Sequence, residues 1–290
     1  VGLGLALLVA SLLVGSLAVL NGAAMADARP GGYKVVENVE YVRDPVPLKL
    51  DAHVPPGKGP FPAVILVHGG GWTTGDKTAA FIRPLFPTLD QTGFAWFTID
   101  YRLAPQYPYT AMVEDVEHAI LFVKEHAREY KVKPKKIALM GESAGAHLVN
   151  LIGARNRPPA NVAAVVSFYG PMNLVDTLRL HPGDPLSDGL KSVFRIDALD
   201  EAGMAKVREG SPDEYVNSRT PPFLFIHGTK DQAVPYEQSV LGVELLKKQG
   251  IPCDLITVPE GIHGVVNWES DPKFQGYKAP MIDWLHRHLR

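Results

Sequence analysis

The chain has 290 residues, enough for one large domain, and its 46% hydrophobic and 21% charged content is that of an ordinary folded protein. A formal net charge of −2 with no basic stripe argues against nucleic acid as a partner. The single cysteine, Cys253, excludes an internal disulfide.

Val1 to Leu20 carries no charge and is almost wholly apolar, and Ala24-Met25-Ala26 follows it. Small-x-small after an apolar run is the cleavage pattern of an export signal. An uncleaved membrane anchor is the other reading, since the run is long enough to span a bilayer. Residues 1–26 are therefore expected to be a signal peptide or anchor, and 27–290 the folded domain. In either case that domain is expected outside the cytoplasm, secreted or periplasmic, with a membrane contact only through an uncleaved leader.

Val35–Val42 and Leu48–Val54 alternate in polarity and are joined by Asp44-Pro45-Val46-Pro47, which predicts an antiparallel pair at a sheet edge. Ala63–Val67 is a continuous apolar run, the signature of a strand buried on both faces. A helix interrupted by Pro84 and Pro87 is expected over Thr78–Gln91, then a strand over Phe94–Ile99. Val113, Val116, Ala119, Ile120 and Val123 recur at helical spacing and predict a helix over Met112–Tyr130. A strand over Lys136–Met140 leads through a turn to a helix from about Ala144. Strands follow at Val162–Phe168, Phe223–Ile226 and Leu255–Val258. A helix over Glu237–Gln249 stops at Gly250, and another closes the chain over Pro280–Leu289. Cys253 is expected to be a buried structural thiol at the start of the last strand. Strands alternating with helices predict an α/β fold whose central sheet is mostly parallel, with helices on both faces and an antiparallel N-terminal edge. Residues 171–220 break the alternation. They read as an insert, a lid or pocket wall, with short helices near Ser187–Phe194 and Glu201–Arg208.

The chemistry gathers at the carboxyl ends of the strands, where such sheets bind ligands. Gly141-Glu142-Ser143-Ala144-Gly145 fits G-x-S-x-G between a strand and a helix, which makes Ser143 the candidate nucleophile. The helix start places the Ala144 N–H where negative charge would develop. His68-Gly69-Gly70-Gly71-Trp72 follows the strand at Ala63–Val67, and its glycines are the second source of oxyanion donors. Gly70 and Gly71 are favoured, Gly69 next. His68 is expected to hold that loop. Asp231 and His263 each follow a strand, in the chain order Ser, Asp, His, so His263 is the candidate base and Asp231 its orienting acid. Glu260 is the competing acid, and His227 is read as support for the turn. Asp100 and Arg102 are expected to anchor the loop beside the glycines. Trp72, Tyr169 and Trp268 are candidate pocket walls. No metal-binding spacing and no phosphate-binding glycine loop occurs, so neither metal nor cofactor is expected.

Together the blocks HGGGW (68–72), DYRLAP (100–105), GESAG (141–145), HGTKDQAVP (227–235) and His263 resemble the α/β-hydrolase serine esterases. The resemblance is to the hormone-sensitive-lipase-like branch, and within it to compact bacterial carbohydrate esterases such as acetylxylan and feruloyl esterases. It implies cofactor-free hydrolysis of short-chain or aromatic acyl esters through an acyl-enzyme. The substrate would be a small-molecule or carbohydrate ester, with plant polysaccharide as one setting for it. The lid-forming N-terminal helices of many hormone-sensitive-lipase-like enzymes are not evident in the sequence. A small-molecule amidase or peptidase on the same residues, or a non-catalytic ligand-binding fold, are the alternatives.

Overall fold

The computed structural model describes residues 32–179 and 188–290. The expected leader, 1–26, lies outside them, as do residues 180–187 of the expected insert. Eight strands form one sheet: β1 (Lys34–Val42), β2 (Leu48–Val54), β3 (Phe61–Val67), β4 (Ala95–Ile99), β5 (Val132–Glu142), β6 (Ala164–Phe168), β7 (Phe223–Gly228) and β8 (Cys253–Val258). Their spatial order is β1-β2-β4-β3-β5-β6-β7-β8. β2 runs antiparallel to both β1 and β4, and every other pairing is parallel. The α/β fold with an antiparallel N-terminal edge is thus the observed one.

The continuous apolar runs have a direct cause. Side chains alternate across a strand, and here both faces are covered. Ile65, Val67, Phe97, Leu139 and Phe225 enter one core, with Met112 and Val116 from α2 (Tyr109–Glu125, introduced after α1, Phe86–Leu89). Leu148 from α3 (Ala144–Arg155) joins them. Val64, Leu66, Trp96, Met140, Leu224 and Ile226 enter the opposite core, against Leu89 of α1. The remaining helices are α4 (Leu174–Arg179), α5 (Asp188–Phe194), α6 (Glu201–Glu209), α7 (Glu237–Lys248) and α8 (Lys278–Leu289). α7 packs Leu246 into the first core, and α8 packs Trp284 and Leu285 into the second.

Two expected helices are shorter than their sequence patterns. Thr78–Gln91 holds only a 3₁₀ turn at Arg83–Leu85 and the single turn α1, because Pro84 and Pro87 each open a new helical start and cannot donate to the one before. The helix expected to reach Tyr130 ends at Glu125. There the chain turns and packs the Tyr130 ring edge-on against Phe97, centroids 5.3 Å apart. Cys253 does open β8 but is half-buried rather than buried, its thiol against the Val243 carbonyl at 3.6 Å. A buried ion pair joins the sheet to the loop after the glycines: Lys77 Nζ lies 3.0 Å from Asp51, which also accepts the Asn38 N–H. Among the described residues no helix is long and apolar enough to cross a membrane.

Candidate active site

The turn from β5 into α3 is as tight as the glycines suggest. Ser143 sits at φ +52°, ψ −116°, a region that costs a non-glycine residue on the order of 1–3 kcal/mol. A Cβ on Gly145 would lie 2.3 Å from the Val67 carbonyl oxygen, and one on Gly141 would lie 2.5 Å from that of Gly145. Only glycine lets the helix start pass so close to β3. The strain lifts the serine Oγ toward the loop after β8.

His263 is on that loop. Its Nε2 is 2.9 Å from Ser143 Oγ, and its Nδ1 is 2.7 Å from Asp231 Oδ2. A carboxylate only accepts, so Nδ1 carries the proton and Nε2 faces the serine as an acceptor. The other oxygen of Asp231 accepts the Ala233 and Val234 N–H groups, both at 2.9 Å. Burial raises the Asp231 carboxyl, but the hydrogen bonds from His227 and His263, and the Val234 N–H, outweigh it. They hold the group well below the usual carboxylate range. His227 does more than support a turn. Its Nε2–H points at the Val234 carbonyl (2.9 Å) with Asp231 Oδ2 at 3.3 Å, and its Nδ1 accepts from Ser239 (2.7 Å). Glu260, the competing acid, is exposed and its side chain does not hold His263.

The glycine loop separates the three expected donors. The Gly69 N–H is bound to Glu142 Oε1 at 2.7 Å, so Gly69 is not a free oxyanion donor. That assignment is corrected: its glycine is needed because a Cβ would strike the Glu142 carboxylate at 2.2 Å. Gly70 and Gly71 have φ of +94° and +60°, and among the described residues their N–H groups donate to nothing. The Ala144 N–H, first in its helix, has no intrahelical acceptor. His68 does hold the loop, with Nδ1 on the Gly69 carbonyl (2.9 Å). Tyr101 adds its hydroxyl to the His68 and Gly69 carbonyls at 2.9 and 3.1 Å. Asp100 accepts the Lys77 N–H, and Arg102 is tied to Asp115 of α2.

A cavity of about 220 Å³ opens beside Ser143 and Ala144, walled by Trp72, Pro171, Leu174, Leu190, Phe194 and Val234. Its wall is mostly apolar, and α4 and α5 of the insert supply part of it. Trp72 is therefore a wall, but Tyr169 and Trp268 are not. Both are fully buried behind His263. The Tyr169 ring packs edge-on against the imidazole at 4.6 Å, and its hydroxyl accepts the Val265 N–H (2.8 Å). Trp268 donates to the Ile262 carbonyl at 2.8 Å. They shape the histidine loop because bulky rings just past a strand end fill the core there before they can reach a cleft.

Sequence reasoning passed over Glu142. It is 3% exposed and touches Gly69 and the Tyr169 hydroxyl, so one carboxylate joins the glycine loop to the histidine loop. Burial pushes its pKa up, opposed by the Gly69 N–H, the nearby His263 and Tyr169. The signal was a charged residue directly after the apolar run from Ile137 to Gly141.

With the geometry in place, comparison with known proteins is decisive on kinship. The BD-FAE family model matches residues 50–246, a stretch that holds Ser143, the glycine loop and Asp231. The chain belongs to the BD-FAE family. Relatives of this BD-FAE member include a probable carboxylic ester hydrolase, LipM, of Mycobacterium tuberculosis. It is 31% identical over 66% of this chain and 46% of its own length. Esterase LipQ of the same organism is 33% identical over 61% of this chain and 44% of its own. The chain thus spans under half the length of these relatives. Among solved structures, a truncated carbohydrate esterase from gut microbiota superposes with a TM-score of 0.78 at 25% identity, covering 90% of this chain and 98% of that one.

Proposed function

We propose that this protein is a serine carboxylic ester hydrolase working outside the cytoplasm on small or carbohydrate-borne acyl esters. The observation that carries the reading is the chain of hydrogen bonds from Ser143 through His263 to Asp231, with the Ala144 N–H opening onto the same apolar cavity.

In this mechanism the acyl group occupies the cavity and its carbonyl carbon lies over Ser143 Oγ. His263 Nε2 takes the hydroxyl proton as Oγ bonds to that carbon, and the carbonyl π electrons move onto oxygen. The resulting oxyanion accepts from Ala144 and from Gly70 or Gly71, donors already in position before the reaction. Asp231 keeps the Nδ1 proton in place and stabilises the imidazolium. Collapse breaks the bond to the alcohol, which leaves with the proton from His263. Water then repeats the sequence on the acyl-enzyme and releases the acid. All protons stay within the relay and the substrates.

Carbohydrate esters are favoured as substrates by family membership and by the carbohydrate esterase neighbour. Export is supported by the charge-free Val1–Leu20 run and the Ala24-Met25-Ala26 step. The decisive test is hydrolysis of nitrophenyl acetate, butyrate and decanoate by the wild type and Ser143→Ala. Turnover lost in the variant is expected. A folded wild type inert on every ester would sink the proposal and point to amide hydrolysis or binding. Release of acetate or aromatic acid from xylan fragments tests the carbohydrate assignment. N-terminal sequencing of protein recovered outside the cytoplasm tests export.

A further inference from the structure

His147 lies on α3, one turn after the nucleophile, and its backbone N–H donates to the Ser143 carbonyl at 2.9 Å. Its side chain is fully buried, yet it touches no substrate-facing atom of the relay. Both ring nitrogens are used. Nδ1 accepts the Trp72 indole N–H at 3.1 Å, and Nε2 lies 2.8 Å from the Gly210 carbonyl. The indole only donates and the carbonyl only accepts, so both partners require the same neutral tautomer, with the proton on Nε2. Burial holds the ring neutral by lowering its pKa to about 4.

Trp72 itself is held awkwardly, at φ +62° and half-buried, with its ring against Phe194 (centroids 6.1 Å) and the cavity. Its indole N–H is the one polar atom that can fix the ring, and His147 is where that atom goes. Gly210, at the end of α6, lies where a Cβ would strike Phe194 at 2.9 Å. His147 thus ties a wall beside the nucleophile to the insert, which supplies the neighbouring walls of the same cavity.

We infer that His147 is a specificity-positioning residue: by pinning the Trp72 indole it sets how long an acyl chain the cavity admits. The inference rests on the ester-hydrolase reading above and deepens it. Freed of the bond, the indole swings toward solvent and the cavity lengthens along an apolar wall. Such a wall discriminates chain length by apolar contact alone, a mode worth about tenfold or more per methylene at its tightest.

The experiment compares wild type with His147→Phe, which keeps a ring but neither nitrogen, and with His147→Asn, too short to reach both partners. Two quantities are read. The first is the ratio of kcat/KM for nitrophenyl decanoate over butyrate, which does not depend on the amount of folded enzyme. It is expected to rise about tenfold. The second is acrylamide quenching of tryptophan fluorescence. Trp96, Trp268 and Trp284 are at most 1% exposed, so quenching reports Trp72, and it is expected to increase. If one variant does not fold, the other decides. A ratio within about twofold of wild type in a folded variant overturns the specificity role. Unchanged quenching overturns the pin. A wild type inert on both esters removes the acyl-size role together with the ester reading. Quenching still shows in that case whether His147 fixes Trp72.

Discussion

Residue by residue, the site separates groups that react from groups that hold them. Glu142 belongs to the second kind, since it orders Gly69 and Tyr169 rather than meeting substrate. Glu142→Ala should lower kcat about 100-fold with KM little changed, because the oxyanion loop loses its anchor. Glu142→Gln keeps an acceptor for the Gly69 N–H and should restore most of the rate; steady-state kinetics on nitrophenyl butyrate would show both. Asp231→Asn should cost about 10⁴-fold, since the amide would favour the wrong imidazole tautomer. Ser143, Asp231 and His263 could be read from the sequence because each follows a strand and the local pattern shows the strand. Gly69, Tyr169 and Trp268 were misread, and Glu142 missed, for one reason. Their roles depend on which loop lies behind which, a relation between segments 73 or more residues apart that no local pattern carries.

Among the elements, the strands and most helices were legible because two-sided burial and helical spacing are local signals. The Thr78–Gln91 helix failed at its prolines, which compete with the apolar pattern and win. The β5–α3 turn is the element least able to change. Gly145→Ala would set a methyl against the Val67 and His68 carbonyl oxygens, at 2.3 and 2.4 Å. Backbone must shift to relieve it, so the variant should lose several °C in melting temperature and most of its activity, read by calorimetry and a nitrophenyl assay. The Lys77–Asp51 pair makes a separate test of the antiparallel edge. Lys77→Met leaves Asp51 buried without its cation and should destabilise the fold by about 3–5 kcal/mol in urea titration.

For the molecule as a whole, two of the buried imidazoles, His68 and His147, matter most to pH response. Burial lowers both His68 and His147 to about 4. A histidine with a folded pKa below its free value of about 6.5 gains its proton on unfolding. Its stabilising contribution is therefore complete above about pH 6.5 and is withdrawn as pH falls toward 4. Each is worth on the order of 3 kcal/mol over that window. Asp231 is depressed as well, but its window opens lower, below about pH 4. Melting temperature should accordingly fall between pH 6.5 and 4, and fall less in a folded His147→Asn. A flat profile over that range would contradict the buried neutral state.

Every reacting loop leaves the sheet from the same edge, and the opposite edge carries turns of a different character. Gly250, between α7 and β8, is exposed at φ +70° with open space around it. A linker grafted there would anchor the protein to a bead, an electrode or a second domain with the catalytic mouth facing outward. Under the reading proposed above, polymeric esters too large to diffuse into a resin could then still reach it.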